Sequence, residues 1–519
     1  MKQVGIIVGG EFNKIFIREK STYDIELGEL LISEVDDKKY VLEVYDIVYG
    51  SQISQQKIEL FSGFNLETNE QSEVFHKELR LYKLVVAKPL IIIENKKINQ
   101  AKSIPPLFTP VRAINEDDLK GLFKDILEIG AIRSGSKILK ESLKMNPFDV
   151  FSHHVLVPAQ TGKGKSNLIK TLLWNCANLN DIGFFVLDPH NEYFYGNKER
   201  NEQYGLKDHP KKEKIFYFAS SKESIIQKQE KASILKISIK NIRPHHFVDI
   251  LSFTEAQEQV AYRFYHEFKE DWIRMLFEDF SEERLQEMNV PPMTLSTLRR
   301  KISFVLDLDL NGNSHGIFVN EALEKDSIKL MIELLEHGKI VILDTSNLKN
   351  EQELVICSMV ASEIFWNHQN YKNQGILDNY PLVTFVLEEA PRLLNDSQKA
   401  NIFSSIAREG RKFKIGLVAI TQLPSLIPRE ILANMNTKII LGIEMSKERE
   451  VVINSSAQDI EELSKSIASL DKGEAIITSS FLKFPVPVSI PLFTDVAKQE
   501  LANSKEKKIL KKEELFEQF

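Results

Sequence analysis

The chain has 519 residues, 43% of them hydrophobic and 27% charged, with a formal net charge of −7. That length is too great for one ordinary domain, and the composition excludes fibrous and disordered classes in favour of globular units with ample core. The acidic balance excludes a globally basic nucleic-acid coat, so any DNA-binding surface has to be local, a channel or one face.

The amino-terminal "MKQVGIIVGGEFNKIFI" lacks the long apolar core of a signal peptide. No segment supplies the roughly 18 consecutive apolar residues of a membrane span. A cytoplasmic chain with no membrane partner is expected. Cys176 and Cys357 both fall in apolar helical stretches and read as buried structural thiols in a reducing compartment. No Cys/His cluster has zinc spacing, and His153-His154 and His245-His246 read as packing or surface histidines.

Residues 1–105 are β-rich. "VGIIVG", "NKIFIRE", "KKYVLEVYDIVYG" and "RLYKLVVAKPLIII" are short runs of β-branched and aromatic residues separated by turn-formers. They predict a small barrel or sandwich, with Gly9-Gly10 as a hairpin candidate. The three prolines of "NQAKSIPPLFTP" mark a boundary. Residues 106–240 begin an α/β region that resumes over 336–490. Its near-continuous apolar strands are "HHVLVP", "IGFFVLDP", "KIVILDTS", "LVTFVLEEA", "FKIGLVAITQ", "TKIILGI" and "EAIITSS". Such strands belong to a mostly parallel sheet covered on both faces. Between them, 241–335 reads as a helical insertion, carried by "PHHFVDILSFTEAQEQVAYRFYHEFKEDWIRMLFEDF" and "SIKLMIELLEHG". The tail, 491–519, is charged and loosely helical.

In "VPAQTGKGKS" the strand "HHVLVP" meets a helix whose Leu168, Leu172, Leu173 and Cys176 recur at helical spacing. A glycine-rich loop opening a helix presents backbone N–H groups and the positive end of the helix dipole to phosphates. Thr161, Gly162, Lys163, Gly164, Lys165, Ser166 and Asn167 are the candidate nucleotide-binding residues. Lys165 would reach the β- and γ-phosphates of ATP, and the Ser166 hydroxyl would hold Mg2+. Gly162 and Gly164 supply permissive φ angles. Ala159 replaces the first glycine of the common pattern, at little expense where φ stays negative.

Hydrolysis needs carboxylates as well. Strand "LVTFVL" ends in Glu388-Glu389, at the carboxyl end where such sheets bind ligands. Glu388 is assigned to Mg2+ and Glu389 to the attacking water, the strand's end re-aiming one of the two. In "FFVLDPHNEYF", Asp188, His190 and Glu192 either add acid/base or metal contacts or form a capped turn. Asp344 carries the same ambiguity. "IAREGRKFKIGLVAITQLP" places Gln422 at a strand tip, where its amide could sense the γ-phosphate. Arg408 and Arg411 either satisfy a helix C-terminus or serve as cations offered to a neighbour's γ-phosphate.

Together these blocks resemble the HerA family of RecA-type motor ATPases, relatives of the FtsK translocases. The resemblance rests, in order, on "AQTGKGKS", "LDPHNEY", "VLEEA", "IAREGRKFKIGLVAITQLP", "NTKIIL" and "SLDKGEAII", over most of residues 150–490. It implies an α/β fold with a RecA-like P-loop core, an N-terminal barrel and a helical insertion. It implies a homohexamer that moves along double-stranded DNA using ATP and Mg2+, paired with a nuclease of the NurA type in DNA end processing. An alternative implied by bacterial members is a nucleotide-switched ring scaffold that activates an effector, nuclease or other enzyme, in phage defence. The resemblance favours Arg411 as the finger acting in trans, with Arg408 beside it, and supports Asp188, His190 and Glu192 as active-site residues. Two departures stand out: Asn191 where the family has Gly, and Pro391 where it has His. His153 stands where a relative can carry a basic residue, and a neutral imidazole is a weaker cation.

Overall fold

The computed structural model describes residues 2–68, 77–95, 97–196, 203–221, 232–248, 250–323, 326–394 and 401–516. The chain forms two compact units, Met1–Met145 with Lys438–Pro491, and Asn146–Thr437 with Leu492–Phe519.

The first unit opens with β1 (Gln3–Glu11), β2 (Lys14–Glu19), β3 (Leu30–Val35), β4 (Lys38–Ser51), β5 (Leu81–Glu94), β6 (Lys97–Gln100) and β7 (Pro110–Ala113). The strands pair in the order β2-β1-β7-β3-β4-β5, and β2 also pairs with β5, which closes a six-stranded antiparallel barrel with β6 added on β5. Closure removes the open sheet edges. β2 alternates exposed and buried residues, as a strand with one wet face must. The barrel is filled by Val4, Ile7, Ile15, Ile17, Leu31, Leu42, Val44, Val85 and Val111 among others. Strand β7, between β1 and β3, lies beyond the first two prolines of the run, so the pairing continues to Ala113.

The hairpin expected at Gly9-Gly10 forms three residues later, at Phe12-Asn13. The glycines sit inside β1, at a bulge between Ile7 and Gly9. Gly10 has φ +122°, and a Cβ there would lie 2.1 Å from the Lys14 carbonyl oxygen. Close backbone approach, not a two-residue turn, explains this glycine.

A hairpin that composition did not flag follows, β8 (Leu127–Ser134) and β9 (Lys137–Met145). In β9 three lysines and a glutamate interrupt the apolar run, which hides its two-residue period.

The second unit contributes β10 (Val155–Pro158), β11 (Ile182–Asp188), β12 (Ile215–Ala219), β13 (Ala232–Ile234), β14 (Ile237–Ser238), β15 (Phe318–Val319), β16 (Ile340–Asp344), β17 (Leu382–Leu387) and β18 (Ile415–Thr421). Seven of these form a parallel array in the order β13-β12-β16-β11-β17-β18-β10. Every residue of β11, β16, β17 and β18 is buried, the pattern of strands covered on both faces. Helices pack on them: Pro147–Ser152, Ser327–Glu336 and Ile402–Glu409. β12 escaped the strand reading because only five residues separate charged "KKEK" from polar "SSKES".

Residues 241–335 are largely helical, as expected, with helices at Glu255–Phe268, Pro292–Leu306 and Ser327–Glu336. The first is closed by a reciprocal capping box between Thr254 and Gln257, the signature of a deliberate helix start. Its Val260, Ala261 and Phe264 and the second helix's Leu295, Leu298 and Ile302 are buried. Both cysteines are buried and unpaired.

The C-terminal helix, Phe493–Phe516, docks on the helix Lys165–Cys176. Phe493 N–H donates to Asn167 Oδ1 at 2.8 Å, and the Phe493 ring meets Trp174 edge-on at 5.4 Å. Glu500 accepts from the Trp174 indole N–H and from Asn178 Nδ2 at 3.2 Å. Residues 517–519 of the tail lie outside the described residues. The remaining strands, β19 (Thr437–Ile440), β20 (Glu474–Thr478) and β21 (Val486–Ser489), pair antiparallel, and β21 joins β8. Among the described residues no helix is long and apolar enough to cross a membrane.

Candidate nucleotide site at the carboxyl ends of the parallel strands

Parallel pairing brings several strand tips to one level. Pro158 of β10 pairs with Thr421 of β18, Leu387 of β17 with Ala419, and Asp188 of β11 with Asp344 of β16. The glycine-rich loop, Glu388-Glu389, the Asp188 turn and Gln422 therefore all emerge on the same edge of the sheet.

The loop leaves β10 with Ala159 N–H donating to the Thr421 carbonyl at 3.0 Å. Ala159 is buried and is not among the residues with positive φ, so its methyl adds no backbone strain. Gly162 and Gly164 take φ +83° and +107°, angles that side chains with a Cβ rarely adopt. Gly164 caps the helix Lys165–Cys176 with no side chain on its first N–H groups, so those donors face the loop. Lys165 Nζ donates to the Ala159 carbonyl at 3.3 Å, folded back over its own loop. Burial pushes the Lys165 ammonium down from its ordinary range, while Glu388 and Glu389 pull it up. Thr161 Oγ1 donates to Gln422 Oε1 at 2.7 Å, tying the loop to the tip of β18. Lys163, Ser166 and Asn167 are half-buried beside it.

The two glutamates sit differently. Glu388 is largely enclosed, and burial pushes its carboxyl above the usual range, while a hydrogen bond from Tyr193 and the charges of His190 and Lys165 oppose the rise. Tyr193 OH donates to Glu388 Oε1. Glu389 turns the chain into the left-handed region, φ 50° and ψ 46°, which redirects its side chain just past the strand. Its carboxylate pairs with Arg392 one helical turn on. A non-glycine residue in that region is uncommon and marks a constrained position.

Asp188 is buried, and burial pushes its carboxyl up to about 7. Both of its oxygens are used within its own turn: Oδ1 accepts from Glu192 N–H and Oδ2 from Tyr193 N–H, each at 2.9 Å. Of the two alternatives open for Asp188, this is the geometry of a capped turn. Glu192 is buried and His190 exposed on the same turn. Asp344 accepts from Tyr217 OH at 2.7 Å and from Ser346 N–H and Oγ. Sequence reading did not single out Tyr193, whose only signal was its place at the end of "DPHNEY". It also missed Glu353, whose carboxyl burial pushes up in the neighbourhood of Arg392, Glu389 and His190. Glu353 lies in the first turn of a long helix, where carboxylates are ordinary.

Arg411 and Arg408 are elsewhere. Arg411 lies in the turn Gly410–Phe413 that precedes β18, at the amino end of the strands. β18 is seven residues long, so at about 3.3 Å per residue Arg411 stands about 20 Å from the loop of its own chain. Its guanidinium is exposed, and among the described residues it forms no ion pair. His153, just before β10, sits beside it, and burial and the Arg411 charge both lower the His153 imidazole. Arg408 is exposed and pairs with Glu430 at 3.3 Å. The structure brings the loop, Glu388, Glu389, Asp188, His190, Glu192 and Gln422 to one edge, and Arg408 and Arg411 to the other.

The donors at the first edge fit a magnesium triphosphate: two left-handed glycines, open helix N–H groups, a lysine, a hydroxyl and two carboxylates. Among the described residues no group of three or more His, Cys, Asp or Glu could hold an ion alone. Mg2+ bound here would take most of its ligands from water and phosphate, its common habit in such sites.

A protein-family model described as "Helicase HerA, central domain" matches residues 127–364. Over that stretch the chain is similar to the HerA family. It is 25% identical over 491 residues to the DNA double-strand break repair helicase HerA of Saccharolobus solfataricus, covering 90% of this chain and 88% of that one. With the HerA helicase of Pyrococcus furiosus it shares 25% identity over 433 residues, 73% of this chain and 72% of the other. Among solved structures it is similar to the plasmid coupling protein TrwB with a non-hydrolysable ATP analogue, at 14% identity and a TM-score of 0.47, over 73% of this chain and 93% of that one.

The structure accounts for one departure from the HerA pattern. Asn191 stands at φ +50°, and asparagine is the residue after glycine that best tolerates that region. Its Oδ1 accepts from Tyr217 OH at 3.3 Å. Pro391 occupies the start of the short turn Ala390–Arg392, where a missing N–H is no loss.

Proposed function

We propose that this HerA-like ATPase translocates double-stranded DNA as a homohexameric ring, with ATP at each interface between copies, and works with a nuclease in DNA end processing. One observation carries the proposal. The phosphate loop with its carboxylates, and the unpaired Arg411, stand at opposite ends of the same strands, so a triphosphate on one chain can meet Arg411 only from another.

In this reading Lys165 and the helix N–H groups bind the phosphates, and Ser166 and Glu388 hold Mg2+. When bound, Mg2+ neutralises charge between the β- and γ-phosphates. Glu389 accepts the proton of the attacking water. Gln422, held by Thr161, reports the γ-phosphate to β18. Arg411 of the next copy stabilises charge on the transferred phosphoryl group, which ties hydrolysis to motion between neighbours. DNA is gripped through its phosphates in the ring's channel, without sequence preference, so an acidic protein needs only a basic lining.

The Arg392–Glu389 ion pair favours a second reading. It occupies the carboxylate that must take a proton, as a slow, nucleotide-switched scaffold for an effector would require. ATPase rate with and without blunt duplex DNA separates the two. A motor is stimulated by duplex, and its effector-linked activity is lost in Glu389→Gln. A scaffold is neither stimulated nor impaired. Electron microscopy with ATP and duplex tests the ring itself, and a monomer that ignores ATP overturns both readings.

A further inference from the structure

We infer that Tyr193 is a positioning residue for the metal site: its hydroxyl fixes the Glu388 carboxylate, and the Asp188 turn fixes Tyr193. The inference rests on the nucleotide-site reading above.

Three observations carry it. Tyr193 is almost fully buried, so its hydroxyl is not shared with solvent, and it is spent on Glu388 Oε1. That leaves Oε2 as the oxygen of Glu388 without a protein donor among the described residues. The Tyr193 backbone is held in turn, its N–H donating to Asp188 Oδ2 at 2.9 Å, with Glu192 N–H on Oδ1. Asp188 ends β11 and Glu388 follows β17, and those strands are paired in register from Ile182 with Leu382 to Val186 with Val386. The chain of contacts Asp188–Tyr193–Glu388 thus spans two adjacent strand tips and is anchored on a paired strand at both ends.

A carboxylate alone at a strand end turns about its last torsions. One anchored through a single oxygen presents the other in a fixed direction. Hydrogen bonds that orient metal-binding groups typically change metal affinity by about 10- to 100-fold when removed. Asp188, expected among the acid/base or metal groups, acts here through the turn it caps.

The test is Mg2+-dependent binding of a fluorescent ADP analogue, followed without turnover, on wild type, Tyr193→Phe and Asp188→Asn. Wild type should bind the analogue more tightly as Mg2+ rises. In Tyr193→Phe the Mg2+ concentration for half-maximal tightening should rise about tenfold, while affinity without Mg2+ stays at the wild-type value. Asp188→Asn leaves the hydroxyl in place but takes one acceptor from the turn, and it should move the same half-point in the same direction. This second variant carries the test if the first does not fold. In a Glu388→Gln background, Tyr193→Phe should add no further shift. A variant that only loosens the fold would lower affinity at all Mg2+ levels alike, and that result, or an unchanged half-point in a folded variant, overturns the inference. Wild type that binds the analogue without regard to Mg2+ overturns instead the reading on which it rests.

Discussion

The two ends of the parallel strands of the ATPase unit are built on opposite plans. At the carboxyl ends nearly every polar group has a partner in its own chain: Lys165 on Ala159, Thr161 on Gln422, Tyr193 on Glu388, and Glu389 on Arg392. At the amino ends Arg411 is exposed, beside an imidazole, His153, that burial and the Arg411 charge make harder to protonate. One end is organised before a ligand arrives, which electrostatic catalysis requires. The other offers an exposed guanidinium with no ion pair among the described residues. In the proposed ring, a site divided in this way ties hydrolysis to a neighbour.

The sharpest way to break that contrast is Arg411→Ala, which should lower kcat on the order of 10³-fold, the scale of arginine fingers. Mixing it with Glu389→Gln should restore activity, because interfaces then form with an intact Glu389 on one side and an intact Arg411 on the other. Failure of the mixture to exceed its inactive parents would place Arg411 outside the neighbour's site. Glu389→Gln alone should slow hydrolysis on the order of 10²-fold with nucleotide binding retained in equilibrium dialysis; loss of binding would assign Glu389 to holding nucleotide.

Stability should distinguish the ends as well. Phe493→Ala removes a buried ring from the phosphate-loop helix and should destabilise by about 3 kcal/mol, read in denaturant melts. His154, at the amino end, is buried at φ +60° with Nδ1 accepting from Leu417 N–H at 3.1 Å. Burial lowers its imidazole to about 4. The unfolded chain takes up that proton first, near pH 6.5, so stability present above pH 6.5 is lost as pH falls toward 4. His154→Asn keeps both the left-handed backbone and an acceptor. It should reduce the acid sensitivity of unfolding between pH 7 and pH 5 by roughly 2 kcal/mol; an unchanged pH slope would show that His154 is not the group responsible. The smallest effect belongs to the exposed Arg408–Glu430 pair, where Glu430→Gln should change stability by less than about 1 kcal/mol.

Much of this arrangement was legible beforehand. The apolar runs of β11, β16, β17 and β18 announce strands covered on both faces, and "TGKGKS" between a strand and a helix announces phosphate binding. Hairpin β8–β9 was not legible, because lysines break its alternation, and Gly9-Gly10 misled, because a glycine inside a bulge looks like one in a turn. Tyr193 was invisible for another reason: an aromatic after "HNE" says nothing of a carboxylate 195 positions away.

The sequence by itself determined which groups are present and how each meets its near neighbours, because strand period, helix start and glycine conformation are local properties of the backbone. Tertiary structure alone decided which end of the sheet each group occupies. Parallel pairing sets every strand tip on one side and every strand start on the other. The distance between Lys165 and Arg411 is therefore fixed by register across the sheet, which no local pattern of residues encodes.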